Sequence, residues 1–273
     1  MQSHGYHLEP DRVPVCLTVA GSDSGGGAGI QADLKTFTRL GAFGTTAITC
    51  VTAQNPKGVD GVWAADPVMV AAQIRMACEA FPPAAAKTGM LFNADIIRAV
   101  AASVEEQGIA TLVVDPVMVA ASGARLLEAE AVDALTGILF PLARVVTPNI
   151  AEAEILLGEP IRTVEELRAA AREIARRFDT ACVAKGAHLE GDRVVDVLFD
   201  RGEEEVFEAQ RIDLPETHGA GCTFSAALTA FLAHGALMVD AAREAKALVA
   251  DALKRAAPAG HHRPLNLLPP EPA

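Results

Sequence analysis

Residues 13–20 form a run of β-branched and aliphatic side chains that ends in the glycine-rich segment GSDSGGGAG at 21–29; apolar positions then recur at helical spacing over 30–40 and stop at Gly41. That is a strand, a loop and a helix, the strand apolar on both faces. The pattern recurs. Residues 45–51 read as a strand, 67–80 as a helix, 84–87 as a short strand, and 93–107 as a helix stopped by Gly108. Apolar runs at 112–114, 145–146 and 182–184 predict further buried strands, with helices over 151–157 and 164–178 before the last of them. Residues 194–199 and 206–209, joined around Arg201 and Gly202, predict an antiparallel hairpin, and helices follow at 222–234 and 240–257. The alternation predicts an α/β fold: a mostly parallel central sheet, helices on both faces and one small antiparallel hairpin.

In this reading residues 13–257 are one domain and 1–12 a flexible N-terminus. Residues 258–273, with five prolines, are a tail or a short lid strapped over a site. Composition supports one large aliphatic domain, since 51% of the 273 residues are hydrophobic and only 4% aromatic. Lys and Arg number 23 against 35 Asp and Glu, a formal charge of -12 that repels polyanions and argues against a nucleic-acid partner. A small phosphate ligand would then need a locally built site of backbone N–H groups and one or two cations. Cys16, Cys50, Cys78, Cys182 and Cys222 are odd in number and form no C-x-x-C pair, which fits a reducing compartment better than a disulfide framework or a zinc site. Residues 1–14 contain no apolar signal region, and no run of about 18 apolar residues occurs, so a soluble cytoplasmic protein without a membrane partner is expected.

Open α/β sheets bind ligands outside the carboxyl ends of their strands. Here those positions carry Gly21 to Gly29, Gln54 and Asn55, Lys87 to Gly89, Asp115, Asn149, Lys185 and Gly186, and THGAGCT at 217–223. Gly219 and Gly221 open a helix whose first turn offers unpaired N–H groups to an anion such as a phosphoryl oxygen. Cys222 lies in that turn. The helix field would draw its thiol from about 8.5 toward neutrality and make it a base, although a buried structural cysteine under a glycine cap is an equal reading. Lys185 is a candidate to neutralise nucleotide phosphates, or a surface lysine at a strand end. Asp115 is placed to approach Mg²⁺. Asn149 and Glu152 have the spacing of a capping box, which is compatible with holding a hydrated metal ion.

Gly27, Gly29 and Ala32 satisfy G-x-G-x-x-A, but the first glycine falls seven residues beyond Ala20 and the next strand ends without an acid for a ribose. No G-x-x-x-x-G-K-[ST] occurs. His261 and His262 read as a solvated tail feature.

The strings GSDSGGGAGIQADLKTF (21–37), KTGML (87–91), DPVM (115–118), TPNIAEA (147–153), KGAH (185–188) and THGAGCTFSA (217–226) resemble the hydroxymethylpyrimidine phosphate kinase family from about Val15 to Ala256. The resemblance implies a ribokinase-like three-layer sandwich. It further implies phosphorylation by MgATP of 4-amino-5-hydroxymethyl-2-methylpyrimidine, then of its monophosphate, in thiamine biosynthesis. By that carry-over Gln54 pairs with the pyrimidine edge, Met90 and Val117 pack on the ring, and Asp33 and Gly21 lie at the substrate end. Lys185, Asn149, Thr217 and Gly221 face ATP, Asp115 and Glu152 lie near Mg²⁺ directly or through water, and Cys222 sits beside the acceptor hydroxyl between Gly219 and Gly221. A homodimer is also implied. Gly25 departs from the serine usual in the first string, and GHHRPLN at 260–266 departs from a GHGPLN-like ending, so no nucleotide role is expected there. The alternatives are a pyridoxal kinase of the same fold, a non-catalytic binder of vitamin precursors, and a cysteine-nucleophile transferase using His218.

Overall fold

The computed structural model describes residues 13–119, 127, 129–187, 189–212, 214 and 218–269. The N-terminus at 1–12, Thr217 and the last four residues lie outside the described residues. The strands are β1 (Val15–Asp23), β2 (Phe43–Asn55), β3 (Gly58–Ala64), β4 (Ala85–Thr88), β5 (Leu112–Val114), β6 (Val145–Val146), β7 (Ala181–Lys185), β8 (Arg193–Asp200) and β9 (Glu203–Gln210). They form one sheet in the order β3-β2-β1-β4-β5-β6-β7-β8-β9. From β2 to β7 all neighbours are parallel, while β3 on β2, β8 on β7 and β9 on β8 are antiparallel.

The helices are α1 (Gly29–Arg39), α2 (Pro67–Ala80), α3 (Ala94–Glu106), α4 (Ala129–Ala134), α5 (Ile150–Leu157), α6 (Val164–Phe178), α7 (Ala220–Ala233) and α8 (Met238–Lys254). Side chains along a strand alternate between faces. Leu112 and Val114 therefore join the core beneath α2 to α6, whereas Val113 joins the core beneath α7 and α8. The same division separates Cys182 and Ala184 from Ala181 and Val183. Both faces are thus covered, which is why these strands read as unbroken apolar runs.

Local signals set the helix starts. Asp66 accepts from the N–H of Val68 ahead of Pro67, Asn93 caps α3, and both Asn149–Glu152 and Thr163–Glu166 close as capping boxes. Leu167, Ala170, Ala171, Ile174 and Ala175 are the buried stripe of α6 at helical spacing.

Three features differ from the sequence reading. The sheet has two antiparallel margins, not one, because β2 runs on to Asn55 and turns back as β3. Nearly all of β3 is exposed, so it carries no buried periodicity to betray it. β1 continues through Gly21 to Asp23 with a register shift between Ala20 and Ser22, and α4 with the turns after it was not expected. The described part of the C-terminal segment returns to α8: the N–H of Asn266 donates to Ala252 O, and Arg255 donates to the carbonyls of Asn266 and Leu268. Its described residues contribute no lining to the cleft described next.

Candidate active site

A cleft of about 1190 Å³ opens along the carboxyl ends of the parallel strands. It has two halves, joined by the first turn of α7. Along the strand order, Gln54 on β2, Gly21 on β1, Met90 beyond β4 and Val117 beyond β5 line one side, and Asp115 at the end of β5, Asn149 and Glu152 beyond β6 and Lys185 on β7 line the other, with Gly219, Gly221 and Cys222 at the start of α7, which packs on β1, β4 and β5.

The first half is shaped by backbone irregularities. A register shift between Ala53 and Gln54 turns Gln54 into the cleft, where Thr52 Oγ1 donates to Gln54 Oε1 at 3.3 Å. At Gly21 a Cβ would stand 2.7 Å from Cys50 Sγ, so only glycine lets the chain pass. Val117 is held at φ 45, a left-handed conformation that β-branched residues avoid. The next N–H, of Met118, donates to Glu152 Oε1 at 3.1 Å and helps hold that bend.

Asp23 organises the glycine loop. Its carboxylate accepts the N–H groups of Gly25 at 2.8 Å, Gly27 at 3.0 Å and Ala28 at 2.8 Å, and His218 Nε2 lies 3.3 Å away. Burial raises this carboxyl, but the His218 and backbone hydrogen bonds outweigh it and leave it at about 2. Asp23 was not singled out in the sequence, although an Asp two residues before glycines is the composition of such a turn.

In the second half, Lys185 Nζ donates to Asp115 Oδ1 at 3.0 Å. Thr147 Oγ1 donates to the same oxygen at 3.2 Å, and Ser225 Oγ donates to Oδ2 at 3.0 Å. Burial raises the Asp115 carboxyl; the Lys185 and Lys87 ammonium groups with the hydrogen bonds prevail, so it stays below the ordinary range. Burial lowers Lys185, which Asp115 and Glu152 more than reverse. Thr147 and Ser225 lie inside TPNIAEA and THGAGCTFSA but carry no role of their own in the sequence reading, since a lone hydroxyl has no distinguishing mark.

Asn149 and Glu152 are at once a capping box and part of the cleft: Asn149 Oδ1 accepts the Glu152 N–H at 3.0 Å, and Glu152 Oε2 accepts the Asn149 N–H at 2.9 Å. Burial pushes Glu152 up to about 7, and Lys185 and the two backbone bonds only partly oppose it. Among the described residues no group of three His, Cys, Asp or Glu could enclose a metal. Among the described residues each Glu152 oxygen and Asp115 Oδ2 accepts a single hydrogen bond, which leaves each a lone pair there. That donor set fits Mg²⁺ held largely through its own water.

Gly219, at φ 86, caps α7 without a side-chain hydrogen bond and packs against Gly27 O, leaving the first N–H groups of α7 open to the cleft. Two expectations are corrected here. The Cys222 thiol is not drawn toward neutrality: burial pushes it up to about 11, Lys87 lowers it in part, and Asp33 and Asp115 oppose that, so the resting thiol keeps its proton. Asp33 does not line the cleft; it is wholly buried against Lys87. Thr217 lies outside the described residues.

The far end of the second half is apolar, formed by Val194, Ile212, Leu214, Val249 and Leu253. Here Lys246 Nζ donates to Asp196 Oδ2 at 2.7 Å, and Asp196 Oδ1 accepts the Gly186 N–H at 3.0 Å. None of this was legible beforehand, because apolar residues on β8 and α8 look like core until the surface they leave open is seen.

A family model described as phosphomethylpyrimidine kinase matches residues 23–266. The bifunctional thiamine biosynthesis protein ThiED of Geobacter sulfurreducens is 47% identical over 251 residues; the match covers 92% of this chain and 51% of the relative, so the chain spans about half of that protein. The hydroxymethylpyrimidine/phosphomethylpyrimidine kinase of Synechococcus elongatus is 44% identical over 93% of this chain and 99% of its own length. Among solved structures, the ADP complex of Bacillus subtilis pyridoxal kinase superposes with a TM-score of 0.83 at 41% identity, covering 90% of this chain and 94% of that one. A match that takes in the glycine loop, the Lys185–Asp115 pair and the α7 turn together, at this identity and length, leaves one assignment: the chain belongs to the phosphomethylpyrimidine kinase family.

Proposed function

We propose that the chain transfers the γ-phosphoryl group of ATP to the alcohol of 4-amino-5-hydroxymethyl-2-methylpyrimidine and then to the resulting monophosphate, a pair of steps in thiamine biosynthesis. The observation that carries this reading is the α7 turn, Gly219 to Cys222, set between the Gln54–Met90–Val117 half of the cleft and the Lys185–Asp115 half. Gln54 offers a donor and an acceptor to the amino and ring-nitrogen edge of the pyrimidine, and Met90 and Val117 cover its face. The apolar end at Val194 and Leu253 takes the nucleotide base, and Lys185 and Asn149 meet the phosphates. The N–H groups at the start of α7 stabilise charge on the transferred group. Asp115 and Glu152 would hold Mg²⁺ through water, which supplies charge neutralisation of the phosphates.

Cys222 faces the acceptor oxygen and takes its proton. Its thiolate is scarce near neutrality, so the first phosphorylation accelerates as pH rises toward about 11. The monophosphate, with a second pKa near about 6, is already ionised and needs no base. Cys222→Ala therefore slows the first step by about 10²-fold or more and the second far less; equal losses would make Cys222 a positioning group only.

The free state of all five cysteines supports a reducing cytoplasm, and among the described residues no helix is long and apolar enough to cross a membrane. The chain acts as a homodimer through the exposed face of β2 and β3. The likeness to a pyridoxal kinase favours a second acceptor to be tested beside the first. The deciding experiment supplies MgATP with the pyrimidine alcohol, its monophosphate or pyridoxal and resolves the products by mass. Diphosphate formation is expected; turnover of pyridoxal alone would replace the acceptor, and no turnover would end the kinase reading.

A further inference from the structure

Lys87 is wholly buried and yet forms part of the cleft floor. It stands beside Thr18 in the parallel register of β4 on β1. Its Nζ donates to Asp33 Oδ1 at 2.9 Å and Oδ2 at 3.0 Å, while Thr18 Oγ1 donates to Oδ2 at 2.6 Å. A buried ion pair is frequently no more stable than an apolar pair of the same volume, so stability does not account for it. An ammonium has three donors, and Asp33 engages it from one side. Gly89 also adjoins the ammonium: a Cβ there would stand 3.5 Å from Nζ, so the absence of a side chain leaves room beside the charge. Cys222 lines the same cleft from the first turn of α7, and α7 packs on β4, the strand that carries Lys87.

We propose that Lys87, oriented by Asp33 and Thr18, is a positioning residue for Cys222, a buried positive charge in the cleft floor that stabilises its thiolate. The thiol first loses its proton to solvent. On the kinase reading above, on which this step rests, the thiolate takes the proton of the acceptor alcohol as the oxygen–phosphorus bond forms and the bond to ADP breaks; the thiol then returns that proton to solvent. Asp33, behind the ammonium, neutralises the pair so that the site carries a directed dipole and not an added net charge.

Cys16, Cys50, Cys78 and Cys182 are buried and Cys222 is half-buried, so iodoacetamide labelling followed by peptide mass reports Cys222 selectively. The variant to compare is Lys87→Met with Asp33→Asn, which removes both charges and keeps an acceptor for Thr18; Lys87→Met alone is its companion. In Lys87→Met with a native circular dichroism spectrum, labelling at pH 8 is expected to slow about tenfold or more, as loss of a neighbouring cation does to a thiolate, and in the folded double variant by less but still beyond twofold, because Asp33 opposes Lys87 at the sulphur. The same variant is expected to lose kcat for the pyrimidine alcohol while keeping its KM for ATP and its rate on the monophosphate. Labelling within about twofold of wild type in the folded double variant would overturn the role of Lys87. Slower labelling with equal loss in both phosphorylations would uphold that role and instead sink the assignment of Cys222 as base.

Discussion

Gly221 stands against the ammonium of Lys185: the first carbon of a side chain there would lie 3.3 Å from Nζ. The glycine therefore leaves space open beside the lysine, where the proposed phosphate contact would be made. Gly221→Ala places that carbon in the site while favouring the helix, since alanine exceeds glycine in helix propensity by up to about 1 kcal/mol. The expected result is an unchanged or higher melting temperature together with a fall of about tenfold or more in kcat/KM for ATP. Calorimetry and initial rates check the two halves separately, and a parallel loss of stability and activity would contradict the assignment.

At the proposed Mg²⁺ site, Glu152 would make metal binding proton-linked. Its carboxyl is raised from 4.5 to about 7, so between those values the folded chain holds a proton that the unfolded chain has released. Stability of the metal-free protein thus falls as pH rises through that window, by on the order of 3 kcal/mol if the full shift is expressed. Mg²⁺ near the site favours the carboxylate. Titration calorimetry at pH 6 in buffers of different ionisation enthalpy should show close to one proton released per Mg²⁺, and much less at pH 8. Glu152→Gln should abolish the release and flatten the stability slope.

Val117 tests whether the bend at φ 45 serves the acceptor. A β-branched residue there stores about 1–3 kcal/mol, which Val117→Gly removes while adding freedom to the unfolded chain. The melting temperature should move by no more than about 3 °C. KM for the pyrimidine alcohol should rise about fivefold from the lost apolar contact, with KM for ATP unchanged.

Trp63 and Val51 pair across β2 and β3 on the face away from the cleft, and Trp63 is 75% exposed. An isolated apolar residue is ordinary at a surface, but a cross-strand pair on an edge hairpin suits a partner subunit. Trp63→Glu should convert the proposed dimer to monomers in light scattering, and the wild-type chain's single tryptophan should shift to the blue as subunits associate with rising concentration. Unchanged mass would place the interface elsewhere.

The parallel core was legible because Leu112, Val113 and Val114 are buried on both faces, a demand that only aliphatic runs satisfy. β3 was not, since GVDGVWA contains two glycines and buries nothing fully; its place depends on β2 offering an edge. Lys185 and Asp115 could be proposed from their positions at strand ends, yet their direct contact, with Thr147 and Ser225 also donating to Asp115, joins four separate segments of chain. Cys222 shows the limit of a local rule: the helix terminus was visible in the sequence, whereas the burial that outweighs it depends on α1, β1, β4 and β5 packing on α7.

One small core cluster joins Cys16, Phe37 and Ala42 near the start of the chain to Ala226 and Ala230 near its end, and Gly219 closes directly on Gly27 O. During synthesis the outer face of the β1–α1 unit therefore waits, uncovered, until α7 has left the ribosome. The glycine loop meets the turn bearing Cys222 only at that moment. Catalytic competence thus becomes a report of finished folding: recovery of activity on refolding should lag recovery of helix content, and a chain halted before α7 would present its first apolar face to solvent and to other chains.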